Sequence, residues 1–170
     1  MHCKGKNKEK GDRLEDFVIE LFNLCPVFRA AGIKTHLNQI DCCVRNKMYI
    51  HYGVLKTIGL RFYIECKNED ETPSGSYISK LHSIITETNS KEDGIKFGII
   101  ISKKKCPSTY KDHAVKYYLA QQIIVISICC DELKSLITAK GNLLELIERK
   151  STEIILDSKT DLVEAGLYNI

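Results

Sequence analysis

Apolar residues follow two rhythms along this chain. Leu14, Phe17, Val18, Leu21 and Phe22 recur at i, i+3, i+4, i+7 and i+8, the buried stripe of an amphipathic helix. That helix is expected to start at Gly11, with Asp12 as its cap, and to stop at Cys25-Pro26. Ile78, Leu81, Ile84 and Ile85 repeat the spacing and predict a second helix over 77–88. Between the two, the pattern changes to that of extended chain. Residues 33–45 read as one strand, and 48–67 as a second and a third, with the strongest signal at LRFYIECK and a turn at Asn46-Lys47.

Beyond the loop NEDETPSGS the segments KFGIIIS (96–102) and QIIVISICC (122–130) are continuously apolar, as strands buried on both faces are. A helix is expected between them at 108–120, and two more near 132–139 and 142–150. Residues 1–10 read as a basic lead-in outside the first helix, and 151–170 give no clear pattern. Two buried strands joined through a helix imply a right-handed parallel crossover. The expected fold class is therefore α/β, a mixed central sheet flanked by helices on both faces.

A chain of 170 residues fits one domain, large enough to need neither disulfides nor a structural metal. The net charge of +3 permits a nucleic-acid partner without arguing for one. Eight cysteines are present, but none is spaced C-x2-C, and Cys42-Cys43 and Cys129-Cys130 are adjacent pairs. Neighbours in a strand point to opposite faces, so such a pair cannot readily chelate one ion. They read as small core residues in a reducing cytoplasm. The opening residues lack the apolar stretch of a signal peptide, and no apolar run approaches the ~18 residues of a membrane span.

Chemistry is suggested by position. Glu65 and Lys67 are two apart in a strand and share a face, while Ile64 and Cys66 turn to the core. Alone, such a pair is as well read as a surface ion pair. Asp41 is a charge inside an otherwise apolar strand segment, where it is costly unless it ends the strand in a turn or is given a partner. Adjacent strands could bring Asp41 beside Glu65, and two carboxylates repel unless a cation sits between them. Hard oxygen ligands of this kind suit Mg2+. In the first helix Glu15 lies about 90° from the centre of the apolar stripe, able to reach along the sheet edge, or serving only as a first-turn acid.

Gly11-x-x-x-Glu15, then Asp41 in Q-I-D, then Glu65-Cys66-Lys67 in E-C-K-N, resemble the PD-(D/E)xK nuclease superfamily with its restriction-endonuclease-like core. The Mrr-like restriction endonucleases, related in fold to the archaeal Holliday-junction resolvases, are the branch it looks most like. FGIIIS, Ala114 in KDHAVKYY and IIVISI continue the pattern, which spans 11 to about 132 and leaves 133–170 as a C-terminal helical extension. Two departures stand out: Ile40 replaces the proline before the acid, and no DNA-reading module is evident.

The resemblance implies a metal-dependent DNA endonuclease that hydrolyses phosphodiester bonds with Mg2+, for which Mn2+ substitutes. Asp41, Glu65 and the backbone carbonyl of Cys66 would hold the metal. Lys67 would position the attacking water and meet the phosphate, and Glu15 would hold a second cation or an outer-shell water. Lys103, Lys104, Lys105 and Lys80 are expected to contact nucleic acid, although the lysine run is equally a solvated loop. The implied role is defence or restriction in the cytoplasm, acting as a homodimer or higher oligomer. The alternatives are a repair or junction-resolving nuclease, or a nuclease-like fold that binds nucleic acid or assembles without cutting.

Overall fold

In the computed structural model, residues 3–34, 39–48, 52–89 and 94–164 are described. Strands β1 (Phe28–Lys34), β2 (Gln39–Asn46), β3 (Arg61–Lys67), β4 (Phe97–Ser102) and β5 (Ile124–Cys129) form one sheet. Their order in the sheet repeats their order in the chain. The β1–β2 and β2–β3 pairs are antiparallel, and β3–β4 and β4–β5 are parallel. Helices α1 (Cys3–Leu24), α2 (Val54–Ile58), α3 (Ser76–Asn89), α4 (Thr109–Gln121), α5 (Cys130–Thr138) and α6 (Leu143–Glu164) surround it. The molecule is thus α/β with a five-stranded mixed sheet flanked by helices.

The alternation of side chains decides what each face meets. Phe62, Ile64 and Cys66 of β3 share a face with Cys42 and Val44 of β2, by the register Cys42 to Ile64 and Val44 to Phe62. Phe22 of α1 packs on that face, its ring 5.8 Å from Phe28 and 5.9 Å from Phe62. Tyr63, Glu65 and Lys67 point the other way, together with Gly98, which is paired with Tyr63. A Cβ on Gly98 would lie 2.8 Å from Ile85 and 3.0 Å from Leu81, so this second face is the one that α3 covers. Only glycine lets α3 sit that low on the sheet. Every residue of β4 is buried, as its unbroken apolar run requires.

Several boundaries differ from expectation. α1 begins at Cys3, so the described part of the lead-in is helical. Its lysines and glutamates are good helix formers, and Arg13 pairs with Glu9 one turn back at 2.7 Å. In place of the single strand expected at 33–45 stand two antiparallel strands, the first starting at Phe28, with residues 35–38 outside the described ones. Small residues in FRAAGIK give that strand little hydrophobic signal. Between β2 and β3 the short helix α2 replaces an expected strand, residues 49–51 lying outside the described ones. α6 continues through the ambiguous tail to Glu164, with 165–170 outside the described residues. Among the described residues no helix is long and apolar enough to cross a membrane.

Candidate functional site

Registered pairing between β2 and β3 ends at Cys42 with Ile64. One residue beyond, the side chain of Asp41 takes over the role of the strand: its Oδ2 accepts the backbone N–H of Cys66 at 2.7 Å. An acid inside an apolar strand therefore has its partner, the N–H of the peptide that joins Glu65 to Cys66. Burial raises the Asp41 pKa above the ordinary carboxylate value; the Cys66 N–H opposes this and the neighbouring Glu65 charge reinforces it. The two carboxylates thus feel each other across the β2–β3 junction, as the sequence suggested.

Glu65 is only 1% exposed. The expected picture, in which the carboxylate and ammonium emerge on an open face, is corrected here: α3 covers that face, and the carboxylate is buried beneath it. Its Oε1 is held by two ammonium groups, Lys67 Nζ at 2.7 Å and Lys80 Nζ at 2.9 Å. Its Oε2 is buried with no hydrogen-bond partner among the described residues. A buried carboxylate oxygen without a donor is uncommon and calls for an explanation.

Burial alone would lower the Lys67 pKa, but the hydrogen bond to Glu65 and the charges of Glu65 and Asp41 prevail and hold it above the ordinary lysine value. Lys67 is accordingly a cation, not a resting-state base. Its ammonium also lies 4.5 Å from the centroid of the Tyr77 ring, a cation–π contact. The Tyr77 hydroxyl in turn donates to Glu69. Tyr77 escaped the sequence reading, because it stands at the start of α3 with only a loop acid nearby to mark it.

Glu15 is half-buried on α1 and lines a cavity of about 420 Å3 with Asp12, Asp16, Ile40 and Asp41. Its charge helps to raise the thiol pKa of both Cys42 and Cys66, after their burial. Among the described residues, however, no three His, Cys, Asp or Glu side chains converge as a ready-made metal cage. Cys66 and Lys67 border a second cavity of about 520 Å3 with Asn68, Glu69, Asp70 and Glu71.

The four lysines expected to meet nucleic acid separate. Lys80 joins the site. Lys103 follows directly, its N–H donating to the carbonyl of Lys67 at 2.8 Å, but its ammonium is paired with Asp70. Lys104 and Lys105 are exposed, and Lys105 lies at a separate pocket bordered by α4 and α6. Tyr117 stacks on His82 at 3.7 Å between ring centroids, so its ring is occupied within the molecule. Cys25, Cys42, Cys43, Cys66, Cys106, Cys129 and Cys130 are free thiols, of which Cys42, Cys66 and Cys129 are buried.

The donors present are of the kind a hard divalent cation takes: a Glu65 oxygen without a hydrogen-bond partner among the described residues, the Asp41 carboxylate, and the backbone carbonyl of Cys66, the residue whose N–H Asp41 accepts. Compared with protein-family models, with curated proteins and with solved structures, the chain matches none.

Proposed function

We propose that this chain is a divalent-metal-dependent deoxyribonuclease of the PD-(D/E)xK, restriction-endonuclease-like type, hydrolysing phosphodiester bonds. The observation that carries the reading is the split environment of Glu65, with one oxygen held by two lysines and the other buried and without a hydrogen-bond partner among the described residues. A structural ion pair would have no use for the second oxygen. A metal ligand needs it.

Asp41, Glu65 and the Cys66 carbonyl would hold Mg2+, with Glu15 close enough through the α1 cavity to support an outer-shell water. The bound cation would supply an activated water and offset charge on the scissile phosphate. Lys67 contributes a fixed positive charge for the phosphate oxygens, oriented by Glu65 and by the face of Tyr77. The Asp41 bond to the Cys66 N–H fixes the peptide just before the Cys66 carbonyl, so the acid also orients the backbone that leads to the third ligand. The role that goes with this reading is defence or restriction, with DNA as the partner and a homodimer or higher oligomer as the assembly.

One observation favours a second reading, a nuclease-like module that does not cut. Two carboxylates and two ammonium groups already balance, and no three acidic ligands are assembled among the described residues. Incubation with supercoiled, linear, single-stranded and branched DNA plus Mg2+ or Mn2+ separates the two. Cleavage lost in Lys67→Ala and Glu65→Gln supports the nuclease. Cleavage that persists in both, or wild-type protein that binds DNA and leaves it intact, rejects it.

A further inference from the structure

Lys80 belongs to α3, whose apolar residues Ile78, Leu81, Ile84 and Ile85 are buried against the sheet. Its side chain runs beside that stripe, 46% exposed, while its ammonium reaches inward to the Glu65 oxygen that Lys67 also holds. Two ammonium groups on one oxygen repel each other, and they are tolerated because Glu65 and Asp41 bring two negative charges. A divalent cation added to this balanced set would leave an excess of two positive charges in a largely buried place. Such an excess is relieved most cheaply if one ammonium leaves.

The geometry decides which. Lys67 projects from the rigid strand β3, is 17% exposed, and is held on a second side by the Tyr77 ring. Lys80 is more than twice as exposed, on a flexible four-carbon stem at the rim. We propose that Lys80 is a displaceable counter-ion: it occupies Glu65 in the metal-free protein, competes with the divalent cation, and on cation entry moves to the substrate phosphate. This rests on the nuclease reading and deepens it. Lys80 is thereby a positioning residue with two stations, a carboxylate before loading and a phosphodiester afterwards. The alternative, that it merely ties α3 to the sheet, predicts the opposite effect of its removal on cation affinity.

The test measures Mn2+ binding to the full chain without DNA, from the free-ion electron paramagnetic resonance signal, in wild type, Lys80→Gln and Glu65→Gln. Removing a competing charge at a part-exposed site should tighten Mn2+ roughly three- to tenfold. Independently, labelling of Lys80 in the wild type by an amine-reactive reagent, read by mass spectrometry, should accelerate when Mn2+ is added. Wild-type binding that Glu65→Gln abolishes but Lys80→Gln leaves unchanged or weakens would overturn the proposal and spare the nuclease reading. Labelling of Lys80 that slows or stays constant with Mn2+ would overturn it equally. Mn2+ binding absent from the wild type, or indifferent to Glu65→Gln, would overturn both.

Discussion

The Asp41 carboxylate accepts the backbone N–H of Cys66, so an acid from β2 is keyed to the residue that stands between Glu65 and Lys67. The bond explains how a charge survives in an apolar strand, and it carries a cost, since burial and Glu65 both disfavour ionised Asp41.

Asp41→Asn tests that cost. The amide oxygen still accepts from Cys66, while the charge is gone. The folded-state pKa of Asp41 is raised, so the native chain binds the proton more tightly than the unfolded chain does. Wild-type stability relative to the variant therefore falls as pH rises above the ordinary aspartate value of 3.8. At pH 7 the variant should melt at a higher temperature than wild type, while losing cleavage. Thermal melts between pH 4 and 8 check it; a lower melting temperature across that range would contradict the assigned cost.

Lys67→Arg should not rescue Lys67→Ala. The space between Glu65 and the Tyr77 ring is set for a compact ammonium, and a planar guanidinium delivers its charge elsewhere. Both variants are expected to lose DNA cleavage by at least about 100-fold, the scale of one electrostatic catalytic group. An arginine variant within threefold of wild type would show that charge alone suffices.

Gly98→Val probes the seating of α3. The added atoms meet Ile85 and Leu81 in a packed layer, with an overpacking cost of about 1–3 kcal/mol. Because Lys80 rides on the same helix, the variant should also shift Mn2+ affinity although no site residue is substituted. Denaturant unfolding alongside Mn2+ titration reads both.

Glu132 is the conventional ion pair of the molecule. Burial raises its pKa, but Lys150 at 2.7 Å and the Cys129 N–H at 2.9 Å outweigh burial and hold it below its ordinary 4.5. A lowered carboxylate pKa contributes stability that is complete above the unfolded value and disappears as pH falls through the folded one. Glu132→Gln should cost about 1 kcal/mol at pH 7, as loss of a helix cap does, and little once the pH lies below both values. An equal loss at all pH values would show that the carboxylate's charge plays no part.

The parts of the fold carried by strong periodicity were legible. The apolar stripes of α1 and α3 and the runs of β4 and β5 each announce one element, because burial on a fixed period leaves few alternatives. β1 was not, since FRAAGIK owes its strand to pairing with β2 more than to its own side chains. At the site, the alternation of Glu65 and Lys67 and the misplaced charge of Asp41 were readable. The roles of Lys80 and Tyr77 were not, because they follow from how low α3 lies on the sheet, which one glycine on another strand decides.

Because strand order in the sheet repeats strand order in the chain, the sheet can grow by adding each new strand beside its predecessor. Asp41, Glu65, Lys67 and Lys80 all belong to the early part of that sequence, the antiparallel meander and the first crossover helix, where loop closure is least costly. The chain is expected to assemble this neighbourhood before β5 and α6 dock, as the start of refolding and not its end. Pulsed hydrogen exchange would report it as protection of the Cys66 amide ahead of the amides of Val125 and Ile126.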